Sequence, residues 1–150
     1  MIRRATQQDV QFIHDLLADY GRKGELLARP RTELYEFLRD FMVAEDDAGR
    51  TVGFAALHLC WENLAEVRSL AVLPDQQGKG WGGKLVEACL SESLTLGFGQ
   101  VFALTMRPEF FVRFGFAEVD KQRLPNKIWA DCTKCVKFPD CDEIAMLLEL

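Results

Sequence analysis

Gln77-Gly78-Lys79-Gly80-Trp81-Gly82 stands directly ahead of an apolar pattern with helical spacing, Leu85, Val86, Cys89, Leu90 and Leu94. A strand that enters such a turn and continues into a helix gathers unpaired backbone N–H groups and the positive helix end at one point, which makes an anion site. Glycine suits this because a Cβ would hold phosphate oxygens away from the amides, and because some turn positions need positive φ. Lys79 can add a charge. The spacing is not that of a P-loop, since Gly-Lys-Ser/Thr is missing, nor of a dinucleotide fold, which wants Gly-x-Gly-x-x-Gly early in a βαβ unit. A tight strand-to-helix turn with no ligand shares the pattern, so the surrounding elements have to decide.

A second candidate is Cys132-x-x-Cys135-x5-Cys141, whose first half has the spacing with which two thiolates grip one zinc ion. It lacks an obvious fourth ligand, so a structural metal, a redox role and ordinary packing all stay open. The five cysteines are an odd number, so they cannot all pair internally. The chain has 150 residues, 49% of them apolar and 27% charged, the balance of one globular domain with one core. A net charge of −5 argues against a general nucleic-acid partner, because phosphate-rich partners need a basic face. With no leading apolar segment and no run of about 18 apolar residues, a cytoplasmic protein without a membrane partner is expected.

The elements that must position these residues alternate between strand and helix patterns. Met1 to Ala5 reads as a strand, and Thr6 as the cap of a helix with the stripe Val10, Ile13, Leu16 and Leu17, closed by Tyr20-Gly21. Arg22 to Arg31 reads as a loop, and Thr32 as the cap of a second helix through Leu34, Tyr35 and Leu38. Phe41 to Glu45 and Thr51 to Cys60 flank the turn-rich Asp46-Asp47-Ala48-Gly49-Arg50, a hairpin signature. Glu66 to Leu73 is a strand ended by Pro74-Asp75. After the glycine turn and its helix come a buried strand Val101 to Thr105, a short helix Glu109 to Phe114, a strand Phe116 to Val119 and a closing strand Glu143 to Leu150. Roughly seven strands and four helices in mixed order predict an α/β sandwich with hairpins and crossovers.

Leu70-Ala71-Val72-Leu73-Pro74 followed by Gln77-Gly78-Lys79-Gly80-Trp81-Gly82-Gly83-Lys84-Leu85 resembles the acetyl-coenzyme A motif of the GNAT superfamily of N-acetyltransferases. Phe111-Val112-Arg113-Phe114-Gly115-Phe116 is similar to its aromatic-x-x-x-Gly-Phe segment. The resemblance implies a mixed, mostly antiparallel sheet and acetyl-CoA as co-substrate. It gives the pyrophosphate to the amides of Gln77, Gly78, Lys79, Gly80, Trp81 and Gly82, and the pantetheine arm to the backbone around Leu70, Ala71 and Val72. Pro30-Arg31-Thr32, Ala65-Glu66-Val67-Arg68-Ser69-Leu70-Ala71-Val72, Phe102-Ala103-Leu104-Thr105, Glu109-Phe110-Phe111, Leu124 to Cys132 and Cys141 to Met146 resemble short, stand-alone bacterial N-acetylglutamate synthases. That likeness implies transfer of an acetyl group to L-glutamate, the first step toward arginine. The amino-acid-kinase domain of longer relatives, which carries their arginine feedback site, has no counterpart in these residues.

Acetyl transfer from a thioester needs a neutral amine and a proton for the departing thiolate. Glu66, five residues before Ala71 on the strand that would carry the pantetheine, is the candidate base, with Glu62 close by and equally acidic. The tyrosine acid of many GNAT enzymes is replaced by Phe111, which has no proton to give. Thr105 is then the candidate donor, with Cys60 and Ser69 behind it. Tyr20 and Tyr35 are expected to keep their hydroxyls at the surface, and His14 to face solvent. Glutamate carries two carboxylates, which guanidinium forks bind bidentately. Arg31, Arg68, Arg107 and Lys127, with Ser69, border the expected substrate side, and Arg29 competes with Arg31. Two other readings stay open: a GNAT enzyme for another amine, and a non-catalytic acetyl-CoA sensor. A homodimer is compatible with either.

Overall fold

The structure, a computed structural model, describes residues 1–125 and 143–150. Eleven regular elements follow in the order β1 (Ile2–Arg4), α1 (Val10–Arg22), α2 (Arg31–Glu36), β2 (Phe41–Glu45), β3 (Thr51–Trp61), β4 (Leu64–Val72), α3 (Trp81–Thr95), β5 (Gln100–Thr105), α4 (Pro108–Val112), β6 (Ala117–Val119) and β7 (Ile144–Glu149). The strands form a seven-stranded sheet in the order β1-β2-β3-β4-β5-β7-β6. All neighbours are antiparallel except β4 and β5.

Both faces of the sheet are covered because its inner strands, β2 and β3 above all, are apolar on both sides. On one face α1 buries Val10, Ile13, Leu16, Leu17 and Tyr20 over Phe41, Val43, Phe54 and Ala56. On the other, Leu85, Val86 and Cys89 of α3 and Phe111 of α4 cover Ala65, Val67, Val101, Ala103 and Met146. Each of the valine, leucine, isoleucine, phenylalanine and methionine side chains among them contributes about 1.5–3 kcal/mol on burial. The Cys89 thiol, deep in that layer, is pushed up to about 12 by burial and is a packing residue. Thr6 does begin the first helical segment, but the bond that fixes it comes from Asp9, whose carboxylate accepts from the Thr6 N–H at 2.7 Å. Arg3 grips the same carboxylate through both terminal nitrogens at 2.8 Å, and holds its pKa below the usual range.

Three local features differ from the sequence reading or go beyond it. The second helix is capped by Pro30 and begins at Arg31, so Thr32 lies inside its first turn; it ends at Glu36, and Leu38 falls in a separate 3-10 turn. Pro30 in extended conformation is a natural entry to a helix, which the hydroxyl at Thr32 obscured. The closing strand does not lie at the edge, since β7 inserts between β5 and β6. The third is in β4. Phe54 pairs with Ala71 and Ala56 with Arg68, so one β3 residue faces two on β4, a β-bulge at Ser69 and Leu70. Ser69 accordingly holds a left-handed φ of +56°.

Candidate active site

β4 and β5 are paired only from Leu64–Gln100 to Glu66–Phe102. Beyond that point β4 continues to Val72 with no bond to β5, while β5 continues to Thr105 bonded to β7. Two parallel neighbours that part in mid-strand leave backbone N–H and C=O groups facing each other across an opening. Buried backbone groups demand partners, so the opening suits a ligand with amides of its own.

The bulge decides what each part of β4 presents. Before it, Ala65 and Val67 face α3, and Leu64, Glu66 and Arg68 face the α1 side. After it, Leu70 and Val72 join the α3 layer and Ala71 joins the α1 layer. Regular alternation would have put Ser69 and Ala71 on the α3 side.

At the far end of β4 lies the glycine turn. Gly78 and Gly80 have φ of +78° and +87°, and a Cβ added to either would meet nothing within 4 Å. Both are glycines for their backbone conformation, and both border open space. The first intrahelical bond of α3 runs from the Lys84 N–H to the Gly80 carbonyl at 3.1 Å, so the amides of Trp81, Gly82 and Gly83 have no acceptor within the helix. Asp75, the carboxylate nearest in sequence, is paired with Arg50 at 3.4 Å. The turn therefore fits a pyrophosphate: donors converge, space is open, and the adjacent negative charge is neutralised. Gly82 has a different reason. A Cβ there would come within 3.2 Å of Phe110, and one on Gly83 within 3.2 Å of Phe114, so these glycines let α3 approach the aromatic face of α4.

On the α1 side of the opening Glu66 is 9% exposed and lies 3.9 Å from Arg68 through Oε1 and Nη1. Arg68 also stacks over Phe37 at 5.9 Å, and Phe37 meets His58 edge-on at 5.1 Å. His58, directly across from Glu66 on β3, shares a 2.7 Å hydrogen bond between Nδ1 and Asp40. A carboxylate, a guanidinium and an aspartate–histidine pair thus form one polar strip in an otherwise apolar layer. Thr105 follows Val101 and Ala103 in alternation and so belongs to the opposite face; its Oγ1 accepts from the Arg107 N–H at 2.8 Å. Glu66 and Thr105 stand on opposite faces of the split between β4 and β5, the carboxylate on the α1 side and the hydroxyl on the α3 side.

The remaining expected residues divide. Arg107 is exposed and approaches Glu25 at 3.9 Å. Arg31 is exposed on the first turn of α2, whereas Arg29 is buried and donates to Glu33 at 2.7 Å. Ser69 is 8% exposed within the bulge. Lys79 is exposed and reaches Gln76 at 3.5 Å. Lys127, Cys132, Cys135 and Cys141 lie outside the described residues; among those described, no cluster of three potential metal ligands occurs, and no helix is long and apolar enough to cross a membrane. Glu62 is exposed at the β3–β4 turn, away from the strip. Tyr35 is exposed as expected, but Tyr20 is 7% exposed with its hydroxyl bonded on two sides, at Val72 and Gln77. The signal was present in the sequence: Tyr20 continues the stripe Val10, Ile13, Leu17 at helical spacing, which points it inward.

The acetyltransferase (GNAT) domain model matches residues 38–118, from the 3-10 turn before β2 to the middle of β6. The chain belongs to the GNAT acetyltransferase family. An N-acetyltransferase of Chlorobaculum tepidum is 42% identical over 99% of this chain and 96% of its own length. An amino-acid acetyltransferase of Mycobacterium tuberculosis is 40% identical over 80% of this chain and 70% of its own. Among solved structures, a Mycobacterium tuberculosis protein in complex with coenzyme A is 34% identical with a TM-score of 0.84, covering 100% of this chain and 99% of that one. The N-acetylglutamate synthase of Neisseria gonorrhoeae, complexed with coenzyme A and N-acetyl-glutamate, has a TM-score of 0.90 at 28% identity; this GNAT chain corresponds to 35% of that longer one. The mixed seven-stranded architecture expected from the motif is the one observed.

Proposed function

We propose that this N-acetyltransferase moves the acetyl group of acetyl-CoA to the α-amino group of L-glutamate, giving N-acetylglutamate, in the cytoplasm and as the first step toward arginine. The observation that carries the reading is the Glu66–Arg68 pair, buried on the acceptor side where β4 leaves β5. The two groups match a free amino acid in charge and geometry: a guanidinium for its carboxylate and, 3.9 Å away, a carboxylate for its ammonium. Relatives named amino-acid acetyltransferase and the likeness to an N-acetylglutamate synthase support the same choice.

Acetyl-CoA supplies an acetyl group already activated as a thioester. The amides of Gly78 to Gly83 would hold its pyrophosphate, and the stretch of β4 from Leu70 to Val72 that β5 does not pair would hold its pantetheine arm. Glu66 takes a proton from the substrate ammonium, directly or through water, freeing the lone pair that attacks the carbonyl carbon. Each pKa unit by which the amine lies above the working pH costs about 1.4 kcal/mol, so a buried carboxylate beside it lowers a barrier of a few kcal/mol. The C–N bond forms, the nitrogen of the tetrahedral adduct gives its second proton to solvent, the C–S bond breaks, and the thiolate leaves with the electron pair. Thr105, on the opposite face, is placed to return a proton to sulfur, with its own proton replaced from solvent. Arg68 holds the α-carboxylate, and Arg107 or Arg31 is available for the side-chain carboxylate.

The test is an acceptor screen that follows thiol release from acetyl-CoA with L-glutamate, L-glutamine, L-aspartate and a short peptide. Turnover on L-glutamate is expected to exceed the others. Turnover confined to another amine would remove glutamate and leave the acetyltransferase.

A further inference from the structure

Tyr20 belongs to α1, which contributes nothing to the chemistry above, yet its hydroxyl is built into the coenzyme side of the cleft. Oη donates to the carbonyl of Val72 at 2.6 Å and accepts from Nε2 of Gln77 at 2.6 Å. Val72 is the last residue of β4, and Gln77 immediately precedes Gly78. The link between them is an exposed 3-10 turn, Pro74–Gln76, tied down by the Gln76 N–H to Leu73 at 2.9 Å and by the exposed Arg50–Asp75 pair. The hydroxyl of Tyr20 is the buried fixed point that joins the two ends of this link. Burial, foremost among several influences, raises its pKa above the usual 10, so it stays protonated and can donate to Val72 throughout the working range. The same end of α1 also touches the other bank: the Glu25 N–H bonds to the Tyr20 carbonyl at 3.0 Å, and the Glu25 carboxylate faces Arg107, beyond the end of β5.

We infer that Tyr20 is a positioning residue for the coenzyme, setting the separation between the strand edge that receives the pantetheine arm and the turn that receives the pyrophosphate. A ligand gripped at two points is bound well only if the spacing between them is fixed in advance; otherwise ordering the link is charged against affinity. The proposal rests on the acetyl-CoA reading, and on Gln77 acting through its side chain on Tyr20 and not on the ligand.

The experiment titrates free coenzyme A by calorimetry into wild-type protein, Tyr20→Phe, Gln77→Met and the double variant, with ligand-free thermal melting and steady-state KM values alongside. Tyr20→Phe is expected to weaken coenzyme A binding by about 5- to 30-fold, the loss of two neutral hydrogen bonds. The KM for acetyl-CoA should rise in step, while kcat and the acceptor KM stay within about twofold. Gln77→Met should lose less, and the double variant should bind no worse than Tyr20→Phe, because both remove the same link. Should Tyr20→Phe fail to fold, Gln77→Met carries the test, since its side chain lies outside the α1 core. Unchanged coenzyme A affinity with a lowered melting temperature would overturn the proposal, leaving Tyr20 a structural residue. So would losses that multiply in the double variant. Wild-type protein that takes up no coenzyme A would overturn the acetyl-CoA reading itself, and the Tyr20 proposal with it.

Discussion

The two ends of β4 present different kinds of group to the cleft. Past Ser69 the strand and the turn after it offer backbone: the stretch from Leu70 to Val72 that β5 does not pair, then amides exposed by Gly78 and Gly80. Before Ser69 it offers side chains, Glu66 and Arg68, set in a strip with His58, Asp40 and Phe37. A backbone site tolerates many side chains as long as the chain path is kept. A side-chain site depends on residue identity and on elements far away in sequence. Coenzyme handling and acceptor choice should therefore be separable by mutation.

The largest effect expected is on the acceptor end. Glu66→Gln should lower kcat by about 10²- to 10³-fold with the KM for acetyl-CoA unchanged, as measured by thiol release, because it removes a general base. Retention of kcat would make the strip a binding surface only. Next, Arg68→Ala should raise the acceptor KM by about 10- to 100-fold, the loss of a charge-assisted hydrogen bond to a carboxylate, without altering coenzyme A affinity. On the other end, Gly80→Ala forces a Cβ into a φ of +87°. That strain costs about 1–2 kcal/mol and should weaken coenzyme A binding by about tenfold, with the acceptor KM intact. A parallel rise in both KM values would show that the two ends are not separable. The smallest effect belongs to Glu25→Gln. It releases Arg107 from an exposed ion pair of low worth, so the KM for glutamate should fall by about twofold if Arg107 serves its side-chain carboxylate.

The same contrast explains what could be read beforehand. The glycine turn, the hairpin around Asp46 to Arg50 and the stripe of α1 are local patterns, and each appears where expected. The grouping of Arg68, Phe37, His58 and Asp40 is not local, because it joins a 3-10 turn before β2 to two strands through sheet register. Nor can a sequence of strands say that the last one enters beside β5 and leaves β6 at the edge, since sequential strands more often end up adjacent. Gly82 and Gly83 were legible as glycines but not as landing places for Phe110 and Phe114, which come after the next strand. Tyr20 was hidden for another reason. Its spacing marks it as inward-facing, but nothing local says that its hydroxyl would meet a carbonyl distant in sequence.

Ser69 carries a further consequence for how this protein can change. Its left-handed residue is the one place where β4 spends an extra residue against β3, and that surplus lets the strand aim two successive sets of groups in opposite directions. Removing it would restore a regular pleat and force one set to trade faces, sending either Glu66 and Arg68 into the apolar layer under α3 or Leu70 and Val72 out of it. Keeping it makes the segment from Leu64 to Arg68 an exchangeable cassette, whose side chains can change while the groups from Leu70 to Val72 keep their faces.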